Sequence, residues 1–391
     1  MALWPYFDAG VVMNSEYKKT PFYDRHVSLG AQMGPFGGYL MPISYKGILH
    51  EHNACRRGAV LFDTCHMGEF LIRGQGALAD LENLVSCDVS SLQTGQCRYG
   101  LLCNAGGGVM DDLLVYRRGE SDFMLVVNAG TQQHDFDWIR AHLSVATLAE
   151  NISERTAKFD LQGPGSVRIM RQLADQSVDD LRFYHFKPVT CGGREALVSR
   201  TGYTGEVGFE VYSEPSLSLE LWRRCMELGA EPAGLGARDT LRLEMGMPLY
   251  GHELSETRNA AESGFVRAIA QGKKFIGSEA VRDGAKKKSA LVGIRLEGRR
   301  AARNGDGIFD ETGRAVGEVT SGSYAPSLEI AIALGYVENA FSHPGCRLWV
   351  KTVRQDIPGV VGELPFYKDA TGRKPLSEFA FFPPVVPENR D

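Results

Sequence analysis

Two segments of the chain carry carboxylates beside glycines. The first is Gly106-Gly107-Gly108-Val109-Met110-Asp111-Asp112-Leu113-Leu114-Val115-Tyr116, a turn running into a strand. Successive strand side chains point to opposite faces. One carboxylate then faces a cavity, where it can do chemistry, while the other caps or pairs elsewhere. The alternative is a pair of turn-forming aspartates. The second segment is Ser199-Arg200-Thr201-Gly202-Tyr203-Thr204-Gly205-Glu206-Val207-Gly208-Phe209-Glu210-Val211. Its glycines around Tyr203 permit a tight loop with close approach to a ligand. Phe209 and Val211 alternate with Glu210 and Tyr212 as in a strand, which sets Glu210 on the face opposite the apolar pair. The alternative is a glutamate on a solvated face.

Other chemistries lack their motifs. There is no Gly-x-x-x-x-Gly-Lys-Ser/Thr loop, no His-Glu-x-x-His and no Gly-x-Ser-x-Gly. Gly234-Leu235-Gly236 lacks the third glycine of a dinucleotide fingerprint. His50-Glu51-His52 invites a metal, but histidines at i and i+2 do not share a helical face and a third ligand is missing. No metal site is expected.

The elements that must position these residues are partly visible. Phe123 to Val127 is an apolar run that reads as a buried strand ending at Asn128-Ala129-Gly130. A helix is expected over Thr131 to Leu143, with Thr131 as N-cap. Another follows Gly234-Leu235-Gly236, sets Arg238 and Arg242 on one face, and ends near Gly246 with Pro248 beyond. Residues 215–229 form a further amphipathic helix with Leu217, Leu221, Cys225 and Leu228. The stretch Asp283-Gly284-Ala285-Lys286-Lys287-Lys288-Ser289 reads as a linker. Beyond it, short strand-like runs at Ala290 to Leu296, Ala315 to Thr320, Ile330 to Val337, Arg347 to Val353 and Gly359 to Glu363 suggest a small barrel or sandwich. The organisation expected is an extension over 1–19, a mixed α+β domain over 20–285 and a β-rich domain over 286–391. Met13 is an alternative start.

Composition narrows the function classes. The 391 residues carry 43 Lys+Arg against 48 Asp+Glu, a net charge of −5 that argues against nucleic-acid binding. No run approaches the roughly 18 apolar residues of a membrane-spanning helix, and the first residues lack the basic and apolar regions of a secretory leader. Eight cysteines without a Cys-x-x-Cys pair read as reduced thiols of a cytoplasmic protein.

Taken together and in order, these stretches resemble the aminomethyltransferase (T-protein) family of the glycine cleavage system. The resemblance runs over about residues 20–366. It begins at Thr20-Pro21-Phe22-Tyr23-Asp24-Arg25-His26 and continues through Pro42, Glu51-His52, Arg56, Phe62-Asp63 and His66-Met67-Gly68. It goes on through Gly107-Gly108 with Asp111-Asp112, Val126-Val127-Asn128-Ala129-Gly130 and Leu161-Gln162-Gly163-Pro164. Arg200 to Glu206, Gly234 to Glu244, Met247 to Glu253 and Thr320-Ser321-Gly322 complete it. The Tyr203 loop and the helix carrying Arg238 are the most specific parts.

The resemblance implies a fold of three lobes around a central channel: a folate-binding N-terminal body of two lobes and a C-terminal β-barrel. It implies tetrahydrofolate as cofactor and the lipoylated H-protein of the glycine cleavage system as partner. The reaction implied passes the carbon of an aminomethyl group from the dihydrolipoyl arm to N5 of tetrahydrofolate and releases ammonia. Position by position, Asp111 matches the family's main catalytic acid. Tyr203, Glu210 and Arg238 match residues of the pterin site, Met67 a folate-contacting methionine, and Tyr99 and Asn128 further pocket positions. Asp112 is left a structural role.

Those types suit the task. A carboxylate such as Glu210 can accept both the N–H and the NH₂ of the pterin edge, each charge-assisted bond contributing ~1.5–3 kcal/mol. Arg238 neutralises that carboxylate or donates to the pterin carbonyl, while Met67, Tyr99 and Tyr203 wall the ring. Asp111 stabilises the positive charge that develops as the carbon leaves sulfur, orients N5 and relays its proton.

The chain departs from the family at Cys65, where Ser is usual, and at Arg258-Asn259-Ala260-Ala261 and Phe265, where a Pro and a Trp are usual. These changes leave room for one rival, a tetrahydrofolate-dependent demethylase of a small methylated S, N or O compound. A folate-binding helper of iron–sulfur assembly would carry Lys-Gly-Cys-Tyr-x-Gly-Gln-Glu, which is absent, and a fused flavin oxidase would need a further half. An acidic H-protein calls for a basic docking patch, for which Arg299, Arg300 and Arg303 are candidates.

Overall fold

A computed structural model describes residues 17–283 and 289–379. The extension up to residue 16, linker residues 284–288 and the tail from 380 lie outside the described residues. The chain forms two compact units, one within residues 1–67, 152–241 and 369–391, the other within 68–151 and 242–368.

The first unit is built on a six-stranded sheet in the order Phe186–Cys191, Arg194–Ser199, Gly208–Ser213, Ala157–Gln162, Val60–Asp63, Glu231–Pro232. Its central strands alternate cleanly. Ala157, Phe159 and Leu161 join Phe209 and Val211 in one apolar core with Phe22, Val167, Leu217, Leu221 and Trp222. The helix Pro215–Glu227 supplies the last three from one face, with proline in its first turn. The other sheet face carries Lys158, Asp160, Gln162, Glu210 and Tyr212, all buried. On that side Val60 and Phe62 pack with Ala233, Ala237 and Leu241, beneath the start of the helix Leu235–Glu244. Leu376 and Phe379, near the last described residues, are also buried in this unit's core.

The second unit holds a five-stranded antiparallel sheet in the order Gln96–Cys103, Val109–Arg117, Asp122–Val127, Gly68–Arg73, Leu148–Asn151. Its core of Phe70, Ile72, Leu113, Val115, Phe123 and Leu125 is covered by the helices Ala77–Leu84 and Gln132–Ala141, which supply Leu81 and Ile139. The expected helix at 131 forms, with Thr131 at the N-cap position. Its side chain caps no N–H, however, and the hydroxyl donates to the Asn128 carbonyl at 3.3 Å instead.

The expected β-rich region is a closed barrel of Ser289–Leu296, Ile330–Glu338, Ala315–Ala325, Gly307–Phe309, Arg347–Lys351 and Asp356–Gly362. Closure leaves no unpaired edge. Three details differ from the sequence reading. Gly307–Phe309 is too short to show alternation. Ala315–Ala325 runs past Thr320 because a register shift between Val319 and Ser321 breaks the period there. The last strand starts earlier than expected because Pro358, opposite Trp349, sits inside it.

Candidate active site

The polar face of the first unit gathers four of the expected residues. Asp160 and Glu210 are direct cross-strand partners, as are Lys158 and Tyr212. Like charges placed opposite each other repel, and the cluster is held by cations. Lys158 Nζ donates to Glu210 Oε1 at 3.1 Å and lies 3.5 Å from Asp160 Oδ1. Thr201 and Tyr212 hydroxyls donate to Glu210 Oε2 at 2.6 and 3.0 Å. Arg238, on the helix above, donates to Asp160 Oδ2 at 2.7 Å, and Thr64 donates to its other oxygen at 2.9 Å. Met67 Sδ accepts from Lys158 Nζ at 3.4 Å. The Arg238 guanidinium stands 5.0 Å over the Tyr203 ring and 5.9 Å over Phe62. Met67, Tyr203, Glu210 and Arg238 therefore meet around two residues the sequence did not single out, Lys158 and Asp160. The neutralising cation on Glu210 is Lys158, and Arg238 serves Asp160. The solvated alternative for Glu210 is closed, since the residue is 4% exposed.

The Tyr203 loop is shaped by packing as much as by conformation. A Cβ at Gly202 or Gly208 would stand 2.2 or 2.5 Å from the Gln162 amide. The close approach those glycines permit is thus to Gln162, whose Nε2 donates to the Thr201 carbonyl at 3.2 Å and whose Oε1 accepts from Thr204 at 3.0 Å. Arg56 pins the far side of the loop, donating to the Thr204 carbonyl and to Glu206, each at 2.8 Å.

Electrostatics here follow from burial. Removal from water pushes the Asp160 carboxyl up, but Lys158 and Arg238 outweigh it and hold it below the ordinary range. His66 is pushed down to about 4 by burial, with Arg238 and Lys158 adding to the effect. Its Nδ1 is a buried atom with no hydrogen-bond partner. The Cys65 thiol donates to the Lys158 carbonyl and accepts from the Lys158 N–H, both at 3.2 Å. The His50-Glu51-His52 segment is spent on structure. Glu51 accepts from the N–H groups of Tyr45, Lys46 and Gly47 ahead of its helix and from Gly234, while His52 pairs with Thr240 and His50 with Glu231.

The second unit gathers the other three. Asp111 is fully buried and accepts the backbone N–H of Asn128 on Oδ2 at 2.9 Å and its side-chain amide on Oδ1 at 2.8 Å. The same amide reaches Asp112 Oδ1 at 2.9 Å, and Tyr99 donates its hydroxyl to Asp112 Oδ2 at 3.0 Å. The expected opposite faces do not separate the two carboxylates. The register Leu114↔Val126 places Asp112 opposite Asn128, just past the end of its strand, where one amide can bridge both acids. The turn-forming alternative fails as well, because Asn104 closes the glycine turn. That turn is backed by the altered segment: Val109 N–H meets the carbonyls of Ser255 and Arg258, and Ala260 N–H that of Gly107.

Burial and the neighbouring Asp135 drive the Asp111 carboxyl well above its ordinary range. Burial and Asp111 push Asp112 up to about 7. Asp112 thus takes part in the electrostatics of the cluster, beyond a packing role. Asp135, the residue missed here, had a sequence marker: an acid in the first turn of a helix that opens three residues after Asn128. Lys158 and Asp160 had one too, in the alternation of Ala157, Phe159 and Leu161 with polar residues.

The chain is similar to known proteins along most of its length. Residues 22–273 match the model of the GCVT N-terminal domain, and residues 290–368 match that of the glycine cleavage T-protein C-terminal barrel domain. A protein of Halothermothrix orenii named aminomethyltransferase is 42% identical over 358 residues, covering 89% of this chain and 99% of its own. One of Thermus thermophilus with the same name is 42% identical over 354 residues, with 89% and 99% covered. Among solved structures, the glycine cleavage system aminomethyltransferase T of Bartonella henselae matches with a TM-score of 0.84 at 31% identity, covering 90% of this chain and 98% of that one. By motif, by fold and by identity along nearly its whole length, the chain belongs to the glycine cleavage T-protein (aminomethyltransferase) family.

Proposed function

We propose that the protein is the aminomethyltransferase of a glycine cleavage system, moving the carbon of an aminomethyl group from the dihydrolipoyl arm of H-protein to tetrahydrofolate with release of ammonia. Family membership over both matched regions supports the reaction class. The observation that carries the chemistry is Asp111: a fully buried acid oriented by two N–H bonds, on which the acting charge is another carboxylate. Once ionised, such a carboxylate meets a developing positive charge with no reorganisation.

The residues fit a reduced pterin. Its edge offers adjacent N–H and NH₂ donors and a carbonyl. The first unit presents a buried carboxylate, a half-buried arginine, Met67 and Tyr203, and the unpartnered His66 Nδ1. Glu210 and Arg238 would hold the pterin, with Met67 and Tyr203 beside them; Tyr99 and Asn128 are assigned as further folate contacts on the family resemblance. Bound tetrahydrofolate supplies N5 as the acceptor of the carbon. Asp111 stabilises the cationic carbon, and Asn128 keeps its carboxylate in place. Lys158 fixes the Glu210 carboxyl in place by its hydrogen bond to Oε1. We assign the folate site to a domain over 20–285 and the barrel to the domain that follows it, and place the enzyme in the cytoplasm. For an acidic H-protein, Arg299 and Arg300 suit docking better than Arg303, whose guanidinium donates to the carbonyls of Ala302 and Gly322.

The test is production of ammonia and methylene-tetrahydrofolate from aminomethyl-loaded H-protein. Carbon transfer from methylated small molecules, with none from H-protein, would overturn the proposal.

A further inference from the structure

The second family match ends at residue 368, and the chain from 369 onward belongs to the first unit. There it meets the loop that carries Tyr203. Thr371 is the centre of the contact. Its hydroxyl accepts the Val207 N–H at 2.9 Å and donates to Glu206 Oε2. Arg56 holds the other oxygen of that carboxyl. The next residue, Gly372, donates its N–H to the Gly205 carbonyl at 2.8 Å. Arg200, the residue just ahead of the loop, is buried, and its guanidinium donates to the carbonyls of Gly372, at 3.2 Å, and of Lys374. Both ends of the loop and its second glycine are thus tied to one short segment.

That segment is itself anchored. The Lys374 N–H donates to the Thr371 carbonyl at 2.9 Å and closes a turn. Leu376 and Phe379 are buried in the core with Phe22 and Trp222, and Arg171 donates to the Leu376 carbonyl at 3.4 Å. Glycine at 372 is set by close approach: a Cβ there would stand 2.9 Å from the Gly205 carbonyl oxygen and 3.2 Å from that of Glu206.

Chain beyond the last element of a domain ordinarily frays unless it is tied down. Here two buried side chains tie it down exactly where it fastens the loop. A loop with glycines at 202 and 205 has many backbone states open to it. A ligand that needs one of them binds more weakly by the fraction of time spent in the others. We infer that residues 369–379 are a strap that holds the Tyr203 loop in the form the pterin requires, with Thr371 and Gly372 as positioning residues. The inference rests on the proposed folate site for its consequence, though not for its geometry.

The experiment compares wild type with T371V, T371S and G372A as full chains. Valine keeps the shape of threonine and removes the hydroxyl. In calorimetric titration with tetrahydrofolate, T371V and G372A should bind about 5- to 10-fold more weakly, as for one net hydrogen bond. T371S should bind like wild type. In aminomethyl transfer the KM for tetrahydrofolate rises by the same factor and kcat at saturation is unchanged. Without ligand, hydrogen exchange over residues 201–207 is faster in T371V and G372A but not in T371S. By reciprocity, saturating tetrahydrofolate slows exchange over 369–379 in wild type. L221A, which opens a cavity in the same core, lowers the melting temperature and leaves loop exchange and affinity alone. Loop exchange in T371V and G372A equal to wild type would overturn the inference. So would faster exchange with unchanged affinity, a T371S as weak as T371V, or an L221A that weakens binding as they do. A wild type that binds no tetrahydrofolate would instead sink the proposed site, and hydrogen exchange would still decide the strap.

Discussion

Asp160 and Glu210 face each other across adjacent antiparallel strands, two buried carboxylates joined through the single ammonium of Lys158. Each then takes its own second partner, Asp160 the guanidinium of Arg238 and Glu210 the hydroxyls of Thr201 and Tyr212. This division leaves Lys158 to hold Glu210 while Arg238 stands over the ring of Tyr203. A buried pair of this kind is costly to break from one side, because the surviving charge stays buried.

Glu210→Ala should weaken tetrahydrofolate binding by at least ~10²-fold, the equivalent of two lost charge-assisted bonds at about 1.5–3 kcal/mol each. The unfolding temperature should also fall, since the buried Lys158 ammonium loses one of its two carboxylate partners. Calorimetric titration reads the first effect, and an affinity equal to wild type would remove Glu210 from the pterin site.

Asp111→Asn should leave tetrahydrofolate affinity intact and lower kcat by at least ~10²-fold, the usual cost of one such electrostatic group. Steady-state kinetics with loaded H-protein, alongside the same titration, separates the two quantities. Full turnover in the variant would show that the carboxylate is not needed.

Asp112 contributes to stability with a defined sign. Its folded carboxyl is raised to about 7 from 3.8, so its contribution is fully present below about pH 4 and is lost as pH rises through about 7. Asp112→Asn should therefore gain in melting temperature relative to wild type between pH 4.5 and pH 8. A difference constant across that window would show that Asp112 ionises normally.

Arg238 and Asp160 predict the opposite slope. Lys158 and Arg238 hold the Asp160 carboxyl below its ordinary range against the effect of burial, so its contribution is present above about pH 4 and is lost as pH falls through the lowered folded value. Arg238→Met should lower the melting temperature at pH 7, and the loss should shrink in acid below pH 4. A loss independent of pH would point to packing rather than charge.

Much of the frame was legible in local pattern. The buried strand before Asn128, the helix of Arg238 and the helix over 215–229 all form where apolar periodicity places them. Boundaries shifted where a bulge or proline interrupts the period, at Val319 to Ser321 and at Pro358. Side-chain partnerships were less legible. Thr131 occupies a capping position without capping, because the nearby Asn128 carbonyl takes its hydrogen.

The sequence by itself determined the family, the strand–turn segments that carry Asp111 and Glu210, and the residue types offered for chemistry, since all of these rest on motif order and short-range periodicity. Only the tertiary structure decided that Lys158 neutralises Glu210 and that Arg238 serves Asp160. Register between strands and the landing of a helix on a sheet join residues such as 158 with 210 and 160 with 238. Those contacts depend on the packing of the whole unit, which no local stretch of sequence records.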